Sequence, residues 1–157
     1  MADPDLITRC ATRFGLQAVV VAIDAVARDS RGAEPGSWEV VVRGGRERTG
    51  LDVVAWAERV VELGAGELLV TSIDRDGTGS GFDTDLLRAV TSRVPVPVIA
   101  SGGAAGPDDF VAAVVDGGAD AVLAASVFHR RIHAIADVKA AMAAAGLSVR
   151  FAPVATA

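Results

Sequence analysis

Short apolar runs recur along the chain, and each ends abruptly in acidic or glycine-rich residues. The first is Val19-Val20-Val21-Ala22-Ile23, which stops at Asp24. The same pattern returns in "GELLVTSID", "VPVIASGG" and "ADAVLAAS". Continuous apolar runs of this length predict parallel strands covered by helices. Their centres fall near Val21, Leu69, Val98 and Val122.

Between the runs the periodicity changes. "LDVVAWAERVVELGAG", "TDLLRAVTSR", "FVAAVVDGG" and "IADVKAAMAAAG" carry apolar residues at helical spacing, most of them ended by glycine. A further helix is predicted ahead of the first strand, in "DPDLITRCATRFG", with Asp3 as cap, Pro4 in the first turn and Gly15 as stop. The first strand is read as "QAVVVAID". The polar stretch "AVARDSRGAEPGS" reads as its exit loop. "WEVVVRGGRERTG" reads as a small hairpin excursion turning at Gly44-Gly45.

The predicted order is one helix followed by four strand–helix units. Right-handed crossovers place the helices on one face. A closed barrel of this type takes eight units and about 250 residues. The fold class is therefore α/β: a (βα)4 half of a TIM (βα)8 barrel. Its concave face and two edges are expected to pair with a second half. One domain spans 1–150, and 151–157 form a flexible tail.

Composition agrees with this. The 157 residues are 51% hydrophobic but 4% aromatic, so the core is aliphatic. A net charge of −5 without a basic patch argues against nucleic acid as partner. The single cysteine, Cys10, excludes an internal disulfide. "MADPDLITRC" lacks the regions of a signal peptide, and no apolar stretch reaches the ~18 residues of a membrane helix. A cytoplasmic location and no membrane partner are expected, and the sequence implies no cofactor.

In barrels the chemistry sits at the C-terminal ends of the strands. Asp24 stands there, and alternation puts it on one face with Ala22, Val20 and Ala18. A carboxylate at the mouth can act as general acid or base. The bland alternative is a strand-end residue that caps a turn or pairs with an arginine. "SIDRDGTGSGFD" opens the backbone with Gly77, Gly79 and Gly81 and suits an anion. It also mimics a calcium loop, but Ser72 and Asp83 are poor matches to the first and last ligand positions, and a strand leads in. Gly102-Gly103 and Ala125-Ser126, on neighbouring strands, suit one phosphate held jointly by backbone amides. His129 and His133 are spaced for one helix face, but Arg130 follows the first histidine where a zinc-protease pattern has glutamate. They read as surface residues, so no metal is expected. Trp38 and Trp56 read as hairpin and helix-face packing.

Taken together, "VVVAIDA", "GAGELLVTSIDRDGTGSGFD", "VPVIASGGA" and "GADAVLAASVFH" resemble the C-terminal half of the cyclase subunit of imidazole glycerol phosphate synthase. The likeness runs from about Asp5 to Arg150. It implies a barrel of two similar halves, with a phosphorylated ribotide substrate held by one phosphate in each. Ammonia from a glutaminase subunit would pass through the barrel. Two aspartates, ending strands one and five, would do the acid–base work.

By this resemblance Asp24 is the strand-five aspartate. Asp76, Gly77, Gly102, Gly103, Ala125 and Ser126 match the second phosphate site, and Thr71 lines the pocket. Glu67 matches a charged gate on the ammonia route. The departures are the whole first half, an insertion around Arg28 to Pro35, Gly79 where lysine is usual, and Arg130 after "FH". The expected partner is a second copy of the chain or a separate N-terminal half. Two copies would bring two Asp24 carboxylates to one mouth. The other outcome is a self-associating fragment or scaffold without catalysis. The related phosphoribosyl isomerase of histidine synthesis shares the fold.

Overall fold

The computed structural model describes residues 3–28 and 36–151. The first helix, α1 (Asp5–Phe14), is followed by a 3₁₀ turn (Leu16–Ala18) and β1 (Val20–Ala27). A hairpin of β2 (Trp38–Val42) and β3 (Glu47–Asp52) leads into α2 (Val53–Glu62). Then come β4 (Glu67–Ser72), α3 (Thr84–Thr91), β5 (Val98–Ser101), α4 (Pro107–Val115) and β6 (Ala121–Leu123). A single turn, α5 (Ser126–His129), and α6 (Ile135–Ala144) complete the order.

The six strands form one sheet in the order β3-β2-β1-β4-β5-β6. The β1, β4, β5 and β6 strands are parallel, as expected for four strand–helix units. This is an α/β fold of the half-TIM-barrel type. Side chains along β4 alternate between buried and half-buried. One face, carrying Ile23, Ala25, Leu68, Val70, Val98 and Ala100, forms a single core with Val53, Val60, Leu86, Val90, Phe110 and Val138 of the helices. Leu68, Ala25 and Ala100 are completely buried there.

The other face has no helix on it among the described residues. It presents Val20, Ala22 and Asp24 of β1, Glu67, Leu69 and Thr71 of β4, Ile99 and Ser101 of β5, and Ala121 and Leu123 of β6. All of these are half-buried or exposed, Val20 at 50% and Leu123 at 45%.

The hairpin is more than an excursion. The β2 strand pairs antiparallel with the upper part of β1, from Asp24↔Val41 to Ala27↔Trp38. That edge of the sheet is therefore not wholly bare, and the pairing carries β1 beyond Asp24 to Ala27. The start of β1 is also later than its apolar pattern predicts. Leu16–Ala18 coil into a 3₁₀ turn after Gly15, so Ala18 does not share a strand face with Asp24. Leu51 and Asp52 belong to β3 rather than to α2, and Asp52 caps α2 by accepting the Ala55 amide at 3.0 Å. The α4 helix starts at Pro107, ahead of the apolar stretch "FVAAVVDGG", because proline suits a first turn. Asp3 does not cap α1; its carboxylate pairs with Arg9 at 2.6 Å. The insertion at 29–35 and residues 152–157 of the tail lie outside the described residues.

Candidate functional site

Register brings the polar strand ends into one row. Asp24 lies beside Thr71, Thr71 beside Ser101, and Ser101 beside Leu123. Partners in a parallel ladder point the same way, so these four side chains share the bare face at one level. Asp24 thus sits at the mouth, as its position in the sequence implies.

Burial raises the pKa of Asp24, and the neighbouring Asp76 carboxylate raises it further. The group favours its protonated form more than a free aspartate does, which suits a residue that must both hold and release a proton. No arginine pairs with it in the ion pairs of the described residues, against the bland alternative of a structural pair.

Next to this row lies a pocket of about 270 Å³. Asp76, Gly77, Gly102, Gly103, Ala125 and Ser126 all line it. These are the sequence candidates for a phosphate site, gathered from three separate loops. Ser101, Ala104, Leu123 and Ala124 complete the lining, and of these Ala104, Leu123 and Ala124 carried no sequence signal. Thr71 stands one strand away, beside Ser101, and is not part of the wall. The lining holds one carboxylate and neither lysine nor arginine. An anion there would rely on backbone amides and on the Ser101 and Ser126 hydroxyls.

The glycines of this wall have a packing cause. Gly102 has φ +90, and a Cβ on it would come 2.6 Å from the Ser72 carbonyl. Gly103 has φ +106, and a Cβ there would collide with the Gly81 carbonyl. The loop after β4 is laid directly on the turn after β5, joined by Gly81 N–H donating to Gly103 O at 2.8 Å. Gly77 differs: its φ is +72, but nothing lies within 4 Å of the Cβ position, so only the turn geometry calls for glycine.

Glu67 lies on the same face as Thr71, four residues earlier, about 13 Å further down the strand. It is half-buried and far from the pocket, near the opposite end of the sheet. The carboxylates of Asp74 and Asp83 in the calcium-like set are taken up by protein donors. Ser72 is buried, Asp74 accepts the Ala27 amide at 2.6 Å, and Asp83 caps α3. His129 ends α5 while His133 lies in the following loop, so they do not share a helix face. Among the described residues no group of three or more metal-ligating side chains is gathered. No helix among them is long and apolar enough to cross a membrane.

Trp38 and Trp56 pack as read: Trp38 is buried in the core and Trp56 lies against it. Sequence reasoning missed the polar role of Trp38. Its indole N–H donates to Asp83 Oδ2 at 3.2 Å.

Parallel strands with helices on one face, and polar residues gathered around one pocket at the strand C-termini, define an α/β protein of the half-TIM-barrel type. Within that class, the chain belongs to the histidine biosynthesis protein family, whose model matches residues 1–134. The match takes in β1 to β6, the pocket and Asp24, and ends just before α6.

Proposed function

We propose that this chain is the aspartate-bearing, phosphate-binding half of a cyclase of the imidazole glycerol phosphate synthase type. The observation that supports it most is the convergence of three loops on one pocket at the same end of the sheet as Asp24, with six of the expected phosphate residues in the wall. One phosphate of a ribotide substrate is held by Gly77, Gly102, Gly103, Ala125 and Ser126. Asp24 then stands within the substrate's reach, where Thr71 offers a hydroxyl beside it and Ser101 another one strand further on.

In this reading Asp24 exchanges a proton with the substrate while ammonia adds and the imidazole ring closes. Glu67 lines the entry of ammonia at the far end of the sheet, where a glutaminase would dock. A C–N bond of the substrate breaks as the ring closes, and the products are imidazole glycerol phosphate, an aminoimidazole carboxamide ribotide and water. The reaction is set in the cytoplasm.

The bare face and the unpaired lower part of β1 are covered by a second copy or by a separate N-terminal half. Exposed Leu6, Phe14, Leu16 and Val20 on one side, and Leu123, Ile132 and Ile135 on the other, favour such pairing. With two copies, two Asp24 carboxylates face one cavity.

The test is calorimetric titration with inorganic phosphate, followed by an assay of ammonia-dependent cyclisation. Phosphate binding that Ser126→Ala and Gly77→Ala weaken is the expected result. Turnover unchanged by Asp24→Asn would remove Asp24 from the chemistry. A monodisperse monomer at micromolar concentration in sedimentation would remove the paired assembly. Phosphate binding and self-association without turnover would identify a binding scaffold.

A further inference from the structure

The loop that carries Asp76 and Gly77 to the pocket is fastened at both ends to one place. Its second residue, Asp74, accepts the Ala27 amide through Oδ2 at 2.6 Å. Its last, Asp83, accepts the Trp38 indole N–H through Oδ2 at 3.2 Å. Ala27 and Trp38 face each other across the ladder of β1 and β2. A single rung of the hairpin therefore anchors both ends of the loop. Two residues before Asp83, the Gly81 amide ties the loop to the glycine turn of β5.

Asp83 is the junction. Its Oδ1 caps α3 through the Leu86 amide at 3.0 Å, and its Oδ2 also lies 3.5 Å from the buried Ser72 hydroxyl. Capping alone needs only one oxygen. The second is turned toward Trp38 and Ser72. Packing of the Trp38 ring alone could be met by phenylalanine; a buried indole N–H requires a partner, and it finds one in the phosphate loop.

We propose that Trp38 and Asp83 form a clasp through which the hairpin positions the phosphate loop, so that anion affinity in the pocket depends on a strand that does not line it. This rests on the phosphate reading given above. Both are positioning residues: neither lies in the pocket wall. The clasp works by holding Asp76 and Gly77 against the turns of β5 and β6 before the anion arrives, which lowers the ordering cost of binding.

The test is a titration of the ¹⁵N-labelled full chain with inorganic phosphate, followed by NMR, with Trp56→Phe used to assign the indole signals. The Trp38 indole resonance is expected to move with the same midpoint as the Gly77 and Gly102 amides. Trp38→Phe, which keeps a ring in the core, is expected to weaken phosphate binding about fivefold while the chain stays folded. Asp83→Asn retains an oxygen for the α3 cap but turns an amide toward the indole, and is expected to weaken binding equally. A silent indole alongside moving glycine amides overturns the clasp and leaves the phosphate site standing. So does phosphate binding at wild-type strength in Trp38→Phe, or, should that variant fail to fold, in Asp83→Asn. Glycine amides that do not respond to phosphate at all overturn the site and the clasp together.

Discussion

The two faces of the central sheet are made by the same strands, yet they do different work. Leu68, Val70 and Ser72 of β4 point into the helices and are nearly or completely buried. Glu67, Leu69 and Thr71 alternate with them on a face that no described helix covers. The covered face is uniformly apolar up to its last turn. The bare face carries Val20 and the charged Glu67 low in the sheet, apolar Ala22, Leu69 and Ile99 midway, and Asp24, Thr71 and Ser101 at the mouth. One strand thus contributes stability through one set of positions and presents polar groups at the mouth through the other, and period-two alternation keeps the two separate.

The largest expected effect comes from Leu68. Leu68→Ala should destabilise the fold by about 3 kcal/mol, since it opens a cavity in a fully buried site. A urea midpoint that hardly moves would mean the covered face is not the core. Gly103→Ala comes next, at about 2 kcal/mol, because it combines a positive φ with a collision against Gly81. It should also abolish phosphate binding in calorimetry, linking the two faces through one turn.

Leu69→Ala sharpens the contrast. In a dilute chain it should cost less than about 1 kcal/mol, because Leu69 is only half-buried. If a second copy covers the bare face, the cost should grow with protein concentration, measurable as thermal shifts over a dilution series. Identical costs for Leu68→Ala and Leu69→Ala at all concentrations would erase the distinction.

The smallest effect should have the opposite sign. Burial and Asp76 raise the Asp24 pKa, so its charged form is less favourable in the folded chain than in the unfolded one. Its contribution is at its best below the ordinary carboxylate range and declines as pH rises through the folded pKa. Asp24→Asn should therefore raise the melting temperature at about pH 7, with the gain vanishing near pH 3. A loss of stability at neutral pH would show that the carboxylate is held by partners rather than exposed to desolvation. Asp76→Asn, by removing a neighbouring charge, should move the Asp24 pKa back toward its ordinary value in carboxyl NMR.

The strand ends were the most legible part of the sequence. Apolar runs terminated by Asp24, Thr71, Ser101 and Ala125 set the parallel strands and their common mouth, because local composition and long-range packing agree there. The boundaries were less so. Asp52 reads as the second residue of a helix, yet pairing with Glu39 holds it in β3 and turns it into a cap. The length of β1 depends on β2, which local periodicity cannot see. The pocket was found by its polar and glycine residues, while Leu123 and Ala124 carried no signal distinguishing wall from core. The Trp38–Asp83 contact joins positions 45 residues apart, and nothing local at either position announces it.

The tight contact between the turn after β5 and the loop after β4 also bears on what a sequence signature can mean. Glycine is demanded at 102 and 103 by carbonyls of the chain itself. A related chain that had lost every ligand would still need both residues to close its loops. The pair therefore reports an architecture, and a search that relied on it would gather binders and non-binders alike. Ser126 and Asp76, whose side chains border the pocket without such a constraint from within, are the positions at which the two could be told apart.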